Sequence, residues 1–156
     1  MNLRGYLRPV RSLVLMLAAG ASAIVFADNQ TATQTGKKNE MKIVLDEWRI
    51  SSNKVVVKAG PVKFRVNNLG KEDHELVIVK TDLAIDKLPL RGGKVDEDAA
   101  GELIGEIEEF SPNTVQEATF NLSAGRYVLI CNIVEEEHGK VESHFSEGMR
   151  IALNVE

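Results

Sequence analysis

The chain has 156 residues, which is enough for one domain built around a single hydrophobic core. Its 23 acidic residues outnumber its 19 basic residues, which gives a formal net charge of −4. This balance argues against a nucleic-acid partner or an anionic membrane surface and favours a basic partner surface. The single cysteine cannot form an internal disulfide, which leaves an intermolecular bridge, an inert or reactive thiol, or a metal ligand.

Residues 1–27 have the pattern of an export signal. Three arginines precede an uncharged run, residues 12–26, and small residues ending at Ala27 offer a cleavage site. The alternative is an uncleaved N-terminal anchor, but the run is shorter than the roughly 20 residues of a spanning helix. We therefore expect an exported protein, periplasmic or extracytoplasmic, whose charge after cleavage is −7. Residues 28–40 are polar and predict a flexible leader.

From residue 41 to residue 156, short β-branched runs alternate with turn residues, which predicts one all-β domain. The expected architecture is a Greek-key sandwich or barrel of seven or eight strands. The predicted strands are 42–48, 54–58, 62–67, 74–80, 106–110, 115–122, 126–133 and 149–155. Residues 81–110 predict an acidic, partly helical insertion over one face, with a helix at 97–103. Its acidic run indicates a solvated surface or, alternatively, a docking patch for a basic partner.

Four residues of this pattern could bind a metal ion. Period-two alternation places His74, Cys131 and Met149 at strand ends, on the side of the core. His144 lies in the loop after Cys131, with four residues between it and Met149. One thiolate, two imidazoles and a thioether are the donors of a mononuclear copper site used in electron transfer.

Other interpretations of these residues remain open. His138 lies closer to Cys131 than His144 does, but no methionine follows it at the same spacing. Zinc also binds one cysteine and two histidines, although it would not need Met149. An enzyme with Cys131 as nucleophile is a further alternative, but the chain has no motif for it. His74 alone could be a histidine bonded to a backbone carbonyl.

The pattern G-x-Y-x-L-x-C at residues 125–131, followed by H-x4-M at residues 144–149, resembles the cupredoxins, the plastocyanin-like blue copper proteins. More narrowly, residues 41–156 resemble exported bacterial cupredoxin-like domain proteins. The resemblance implies one type 1 copper ion bound by His74, Cys131, His144 and Met149. It also implies a single-electron carrier rather than an enzyme.

We expect a monomer that exchanges electrons with a redox partner, such as a c-type cytochrome or a membrane oxidoreductase. A protein that captures or delivers copper, and an interaction domain of the same fold, are the alternatives.

The chain departs from the family pattern at two places. About twelve residues separate Cys131 from His144, where many small blue copper proteins have only a few. Glu75 follows His74, where many members have an asparagine or serine that braces the ligand loop. We therefore expect the long loop to bulge out and to hold the site less tightly.

Overall fold

The structure is a computed structural model, and it describes residues 39–137 and 139–156. The expected export signal, most of the leader and His138 lie outside the described residues. The strands are β1 Glu40–Asp46, β2 Arg49–Ser52, β3 Val56–Val57, β4 Gly60–Asn68, β5 His74–Lys80, β6 Leu90–Arg91, β7 Lys94–Val95, β8 Glu102–Phe110, β9 Val115–Leu122, β10 Gly125–Ile130, β11 Val134–Glu137, β12 Lys140–Ser143 and β13 Arg150–Val155. The helices are α1 Glu97–Ala100 and α2 His144–Glu147, with a 3-10 turn at Ile85–Lys87. None of the described helices is long and apolar enough to cross a membrane.

Two β-sheets enclose the main core. One has four strands in the order β2-β1-β4-β9, and the other has five in the order β3-β13-β10-β5-β8. The β6–β7 and β11–β12 pairs form separate two-stranded sheets. The all-β prediction is confirmed, and of its two forms the structure is the sandwich, since the sheets stay separate. The additional strands within the described residues are β2 and the four strands of these two short hairpins.

Strand β4 shows why the alternating pattern produces a sandwich. Val62, Phe64 and Val66 are fully buried in the core between the sheets. The intervening Arg65 points outward and forms an ion pair with Glu117 of β9 at 2.5 Å. Burial of one face drives the packing of the sheets, while the surface ion pair contributes little because water screens it.

The central strand β5 is buried on both of its faces. Leu76 and Ile78 belong to the core between the sheets, whereas Val77 and Val79 belong to a second core on the outer side. Residues from 85–100, together with Phe145 of α2, cover that outer side. Burial on both faces explains why β5 has a continuous apolar run.

Two of the differences from the predicted boundaries change how the strands pair. Within residues 81–110, the helix ends at Ala100 and β8 begins at Glu102, so the strand is longer than predicted and pairs with β5. The first chain reversal lies at residues 47–48, inside the predicted strand 42–48, and not between the predicted strands 42–48 and 54–58. Residues 49–52 instead form β2, which pairs with β1 from the Asp46–Arg49 position onward.

Candidate metal centre

Three side chains converge at one end of the sandwich. His74 begins β5, Cys131 follows β10, and His144 begins α2. Because β5 and β10 are antiparallel neighbours, the start of one lies beside the end of the other. The Nδ1 atoms of the two histidines are 3.2 Å apart, and Cys131 Sγ lies 3.3 Å from His144 Nδ1 and 4.0 Å from His74 Nδ1. All three side chains are fully buried.

Burial also controls the protonation of these groups in the metal-free chain. It raises the pKa of the Cys131 thiol to about 11, against the opposing effect of the Glu75 and Ile133 backbone N–H groups. Burial and, to a smaller extent, the neighbouring His74 lower the pKa of His144 to about 4. Burial also lowers the pKa of His74. At neutral pH, both imidazoles are therefore neutral and the thiol is protonated. A cation that binds the thiolate must release that proton.

The backbone of Met149 is hydrogen-bonded to the backbone of Cys131 and of His144. The Cys131 N–H donates to the Met149 carbonyl at 3.1 Å, and the Met149 N–H donates to the His144 carbonyl at 2.9 Å. The Met149 side chain is fully buried in the main core. Gly148 precedes it at a φ of 137°, and a Cβ there would lie 2.8 Å from the Trp48 carbonyl oxygen. Only glycine fits this junction between α2 and β13.

The long segment between Cys131 and His144 is a structured hairpin, not a free bulge. Strands β11 and β12 pair along their whole length. The His144 N–H donates to the Ile133 carbonyl at 3.0 Å, which closes the hairpin at its base. The Ser143 hydroxyl donates to the Gly93 carbonyl at 2.6 Å and also accepts from the N–H of Ser146, which caps α2. These bonds anchor His144 despite the length of the segment.

Glu75 braces the segment that carries the cysteine. The Asn132 N–H donates to Glu75 Oε1 at 2.9 Å. The Asn132 amide then exchanges two hydrogen bonds with the backbone of Val95, at 2.6 and 3.0 Å, and donates to Glu97 at 2.9 Å. Burial raises the pKa of Glu75. The carboxylate therefore makes the type of contact expected from an asparagine or serine at this position.

Two further residues at the site were missed by the sequence analysis. Glu47 Oε1 lies 3.4 Å from His74 Nε2, and the Trp48 ring lies 5.0 Å from the His144 ring, edge to face. Both belong to the turn between β1 and β2, whose residues carry no strong turn signal. His138, the alternative second imidazole, lies outside the described residues.

The donor set fits a single soft or borderline cation. Metal bonds to nitrogen and sulfur of about 2.0 to 2.3 Å, at trigonal angles, separate the donors by roughly 3.5 Å. The three observed separations lie on both sides of this value. Thiolate and imidazole with a thioether nearby form a set that suits copper in both of its common oxidation states.

Comparison with known proteins gives matches to a family and to solved structures. A family model described as a cupredoxin-like domain matches residues 14–141. The fold is similar to dithionite-reduced auracyanin from the photosynthetic bacterium Roseiflexus castenholzii, with 19% identity, a TM-score of 0.54, and coverage of 78% of this chain and 99% of that chain. It is also similar to rusticyanin from Thiobacillus ferrooxidans, with 16% identity, a TM-score of 0.53, and coverage of 75% and 76%. A search of curated proteins finds no match. At these identities, the structural similarity shows the fold alone.

Proposed function

Because the chain belongs to the cupredoxin-like domain family, we propose that it is a type 1 copper protein that carries single electrons outside the cytoplasm. His74, Cys131, His144 and Met149 would hold the copper ion, with the thiolate, two imidazoles and the thioether as its donors. The observation that carries the proposal is the convergence of one thiol and two neutral imidazoles at one buried point.

Copper, when bound, supplies two oxidation states that differ by one electron. The chain supplies donors that hold their positions in both states. His74 and Cys131 are placed by two paired core strands, and His144 is held by the base of the β11–β12 hairpin. A rigid donor set limits the rearrangement that accompanies each electron transfer.

The redox partner is proposed to be a c-type cytochrome or a membrane oxidoreductase with a basic docking face. Exposed glutamates on the edge strand β8, namely Glu102, Glu106, Glu108 and Glu109, support this choice. Such a surface would speed association with a basic partner, and added salt would reduce the effect. The export signal expected at residues 1–27 supports an extracytoplasmic location.

The test is to add one equivalent of Cu(II) to the purified protein and to record the visible spectrum. We expect an intense thiolate-to-copper charge-transfer band that is lost in Cys131→Ser and in His144→Ala. The matched control is His138→Ala, which should keep the band. Absence of the band in the unmodified protein would refute the proposal. Its loss in the His138 variant alone would move the second imidazole ligand to that residue.

One observation favours a second function, the capture or delivery of copper without electron transfer. His144 is fully buried, including its outer nitrogen Nε2, and Trp48 packs against the ring. Of the two described imidazoles at the site, His74 and His144, neither therefore presents an edge that is open to a docked redox partner. Rapid oxidation of a reduced c-type cytochrome by the copper-loaded protein would support the carrier. Transfer of copper to a metal-free acceptor, without that oxidation, would support delivery.

A further inference from the structure

We propose that Glu47 is a positioning residue that holds the imidazole proton of His74 on Nε2 and biases the metal centre towards the oxidised ion. The part that concerns the ion rests on the proposed copper-binding function. The part that concerns the proton applies to the metal-free chain as well.

The Glu47 carboxylate is fixed in place from two directions. It belongs to the turn that follows β1, and its Oε1 accepts the backbone N–H groups of Lys71 at 2.6 Å and of Glu72 at 3.1 Å. These two residues lie in the loop that leads into β5 and His74. The same oxygen lies 3.4 Å from His74 Nε2. The carboxylate therefore connects the turn, the loop and the imidazole.

The loop approaches the carboxylate so closely that no side chain fits between them. A Cβ on Gly70 would overlap Glu47 Oε1 and would lie 2.8 Å from His74 Nε2. The His74 side chain is fully buried, and only 22% of the Glu47 side chain is exposed. The contact is thus largely shielded from water, which strengthens its electrostatic effect.

The carboxylate determines which nitrogen of His74 carries the proton. A neutral imidazole has one N–H and one lone pair, and an ionised carboxylate can only accept hydrogen bonds. The proton therefore belongs on Nε2, facing Glu47. The lone pair is then on Nδ1, the atom that faces Cys131 and His144. In the metal-free chain, the His74 lone pair therefore already faces the position where a cation would bind.

The same contact makes the ring a stronger donor. A carboxylate on the far nitrogen of a metal-binding histidine raises the basicity of the ligand, which favours the ion of higher charge. Glu72 approaches His144 Nε2 in a similar way, at 3.7 Å, but 40% of its side chain is exposed. The Glu72 contact is longer and its side chain is more exposed overall, so the effect of Glu47 is expected to dominate.

The first experiment determines the proton position in the metal-free protein by NMR of ¹⁵N-labelled histidine at neutral pH. We expect His74 to carry its proton on Nε2, and Glu47→Ala to shift part of the population to the Nδ1–H form. A proton on Nδ1 in the unmodified protein would overturn the proposal. This measurement does not depend on copper, so it stands even if the proposed function fails.

The second experiment isolates the charge. Glu47→Gln keeps an oxygen for the Lys71 and Glu72 N–H groups but removes the negative charge. We expect about tenfold weaker Cu(II) binding, the lower end of the effect of losing such a partner. With Cu(I) binding unchanged, this corresponds to a rise in reduction potential of about 59 mV.

The matched control is Glu156→Gln, which removes the same charge at an exposed position just after β13, at the end of that strand farther from Met149. It should leave the potential and the His74 tautomer unchanged. Equal potentials for Glu47→Gln and the unmodified protein would overturn the charge effect. Failure of the unmodified protein to bind copper would instead refute the proposed function, and the tautomer would still decide the role of Glu47.

Discussion

Glu75 brings both a hydrogen-bond acceptor and a negative charge to one partly buried position, and two substitutions separate these contributions. Glu75→Ala leaves the N–H of Asn132 without its partner at 2.9 Å. An unsatisfied buried donor costs about 1 to 3 kcal/mol, so we expect the free energy of unfolding to fall by about 2 kcal/mol. Glu75→Gln keeps a carbonyl oxygen at the same place. This substitution should change the free energy of unfolding by less than about 0.5 kcal/mol at pH 7.

The pH dependence follows from the same contact. Burial raises the pKa of Glu75, so the folded chain binds this proton more tightly than the unfolded chain does. The resulting stabilisation is complete below the unfolded pKa and is lost as the pH rises through the folded pKa. The unmodified protein should therefore gain stability relative to Glu75→Gln as the pH is lowered.

The assay is urea unfolding of the metal-free proteins, comparing transition midpoints at an unchanged m-value. The control pair Glu102→Ala and Glu102→Gln, at an exposed position, should each stay within about 0.5 kcal/mol of the unmodified protein. A loss in Glu75→Gln as large as that in Glu75→Ala would refute the reasoning, because it would show that the charge, not the acceptor, braces the segment.

Three further outcomes can be measured by the same unfolding assay. Gly70→Ala should destabilise the chain by about 1 to 3 kcal/mol, because its Cβ has no room beside Glu47 and His74; an unchanged midpoint would contradict the packing. Tyr127→Phe should cost about 1 kcal/mol, because the phenol donates to the carbonyl four residues before it at 2.7 Å; equal midpoints would show that this bond is energetically neutral. The metal-free protein should lose stability as the pH falls from about 6.5 to about 4, because burial lowers the pKa of His144 and only the unfolded chain takes up that proton. His144→Gln should reduce this slope, and an unaltered slope would contradict the assignment.

The sequence predicted the strands that position the donors because their signal is local. Alternation along 74–80, 126–133 and 149–155 assigned the core faces, and the structure confirms that Leu76, Leu129 and Leu153 belong to the main core. Strand pairing then brings the ends of β5 and β10 together.

The supporting contacts could not be predicted because they join residues that are distant in sequence. The Glu75 contact spans 57 residues to Asn132, and the contact from Glu47 to Lys71 spans 24. The turn at residues 47–48 has no glycine, proline or asparagine. The sequence pattern therefore placed the first turn between the predicted strands 42–48 and 54–58, where Ser51, Ser52 and Asn53 lie. The hairpin β11–β12 is rich in charged residues and carries no alternating apolar signal.

Trp48 gives the molecule an internal optical reporter. It is the only tryptophan in the chain, and its ring lies 5.0 Å from the ring of His144. A paramagnetic, visibly coloured ion bound at that imidazole would quench the indole emission at such short range. The intensity of one intrinsic fluorophore should therefore follow loading and depletion in real time, without a dye or a label.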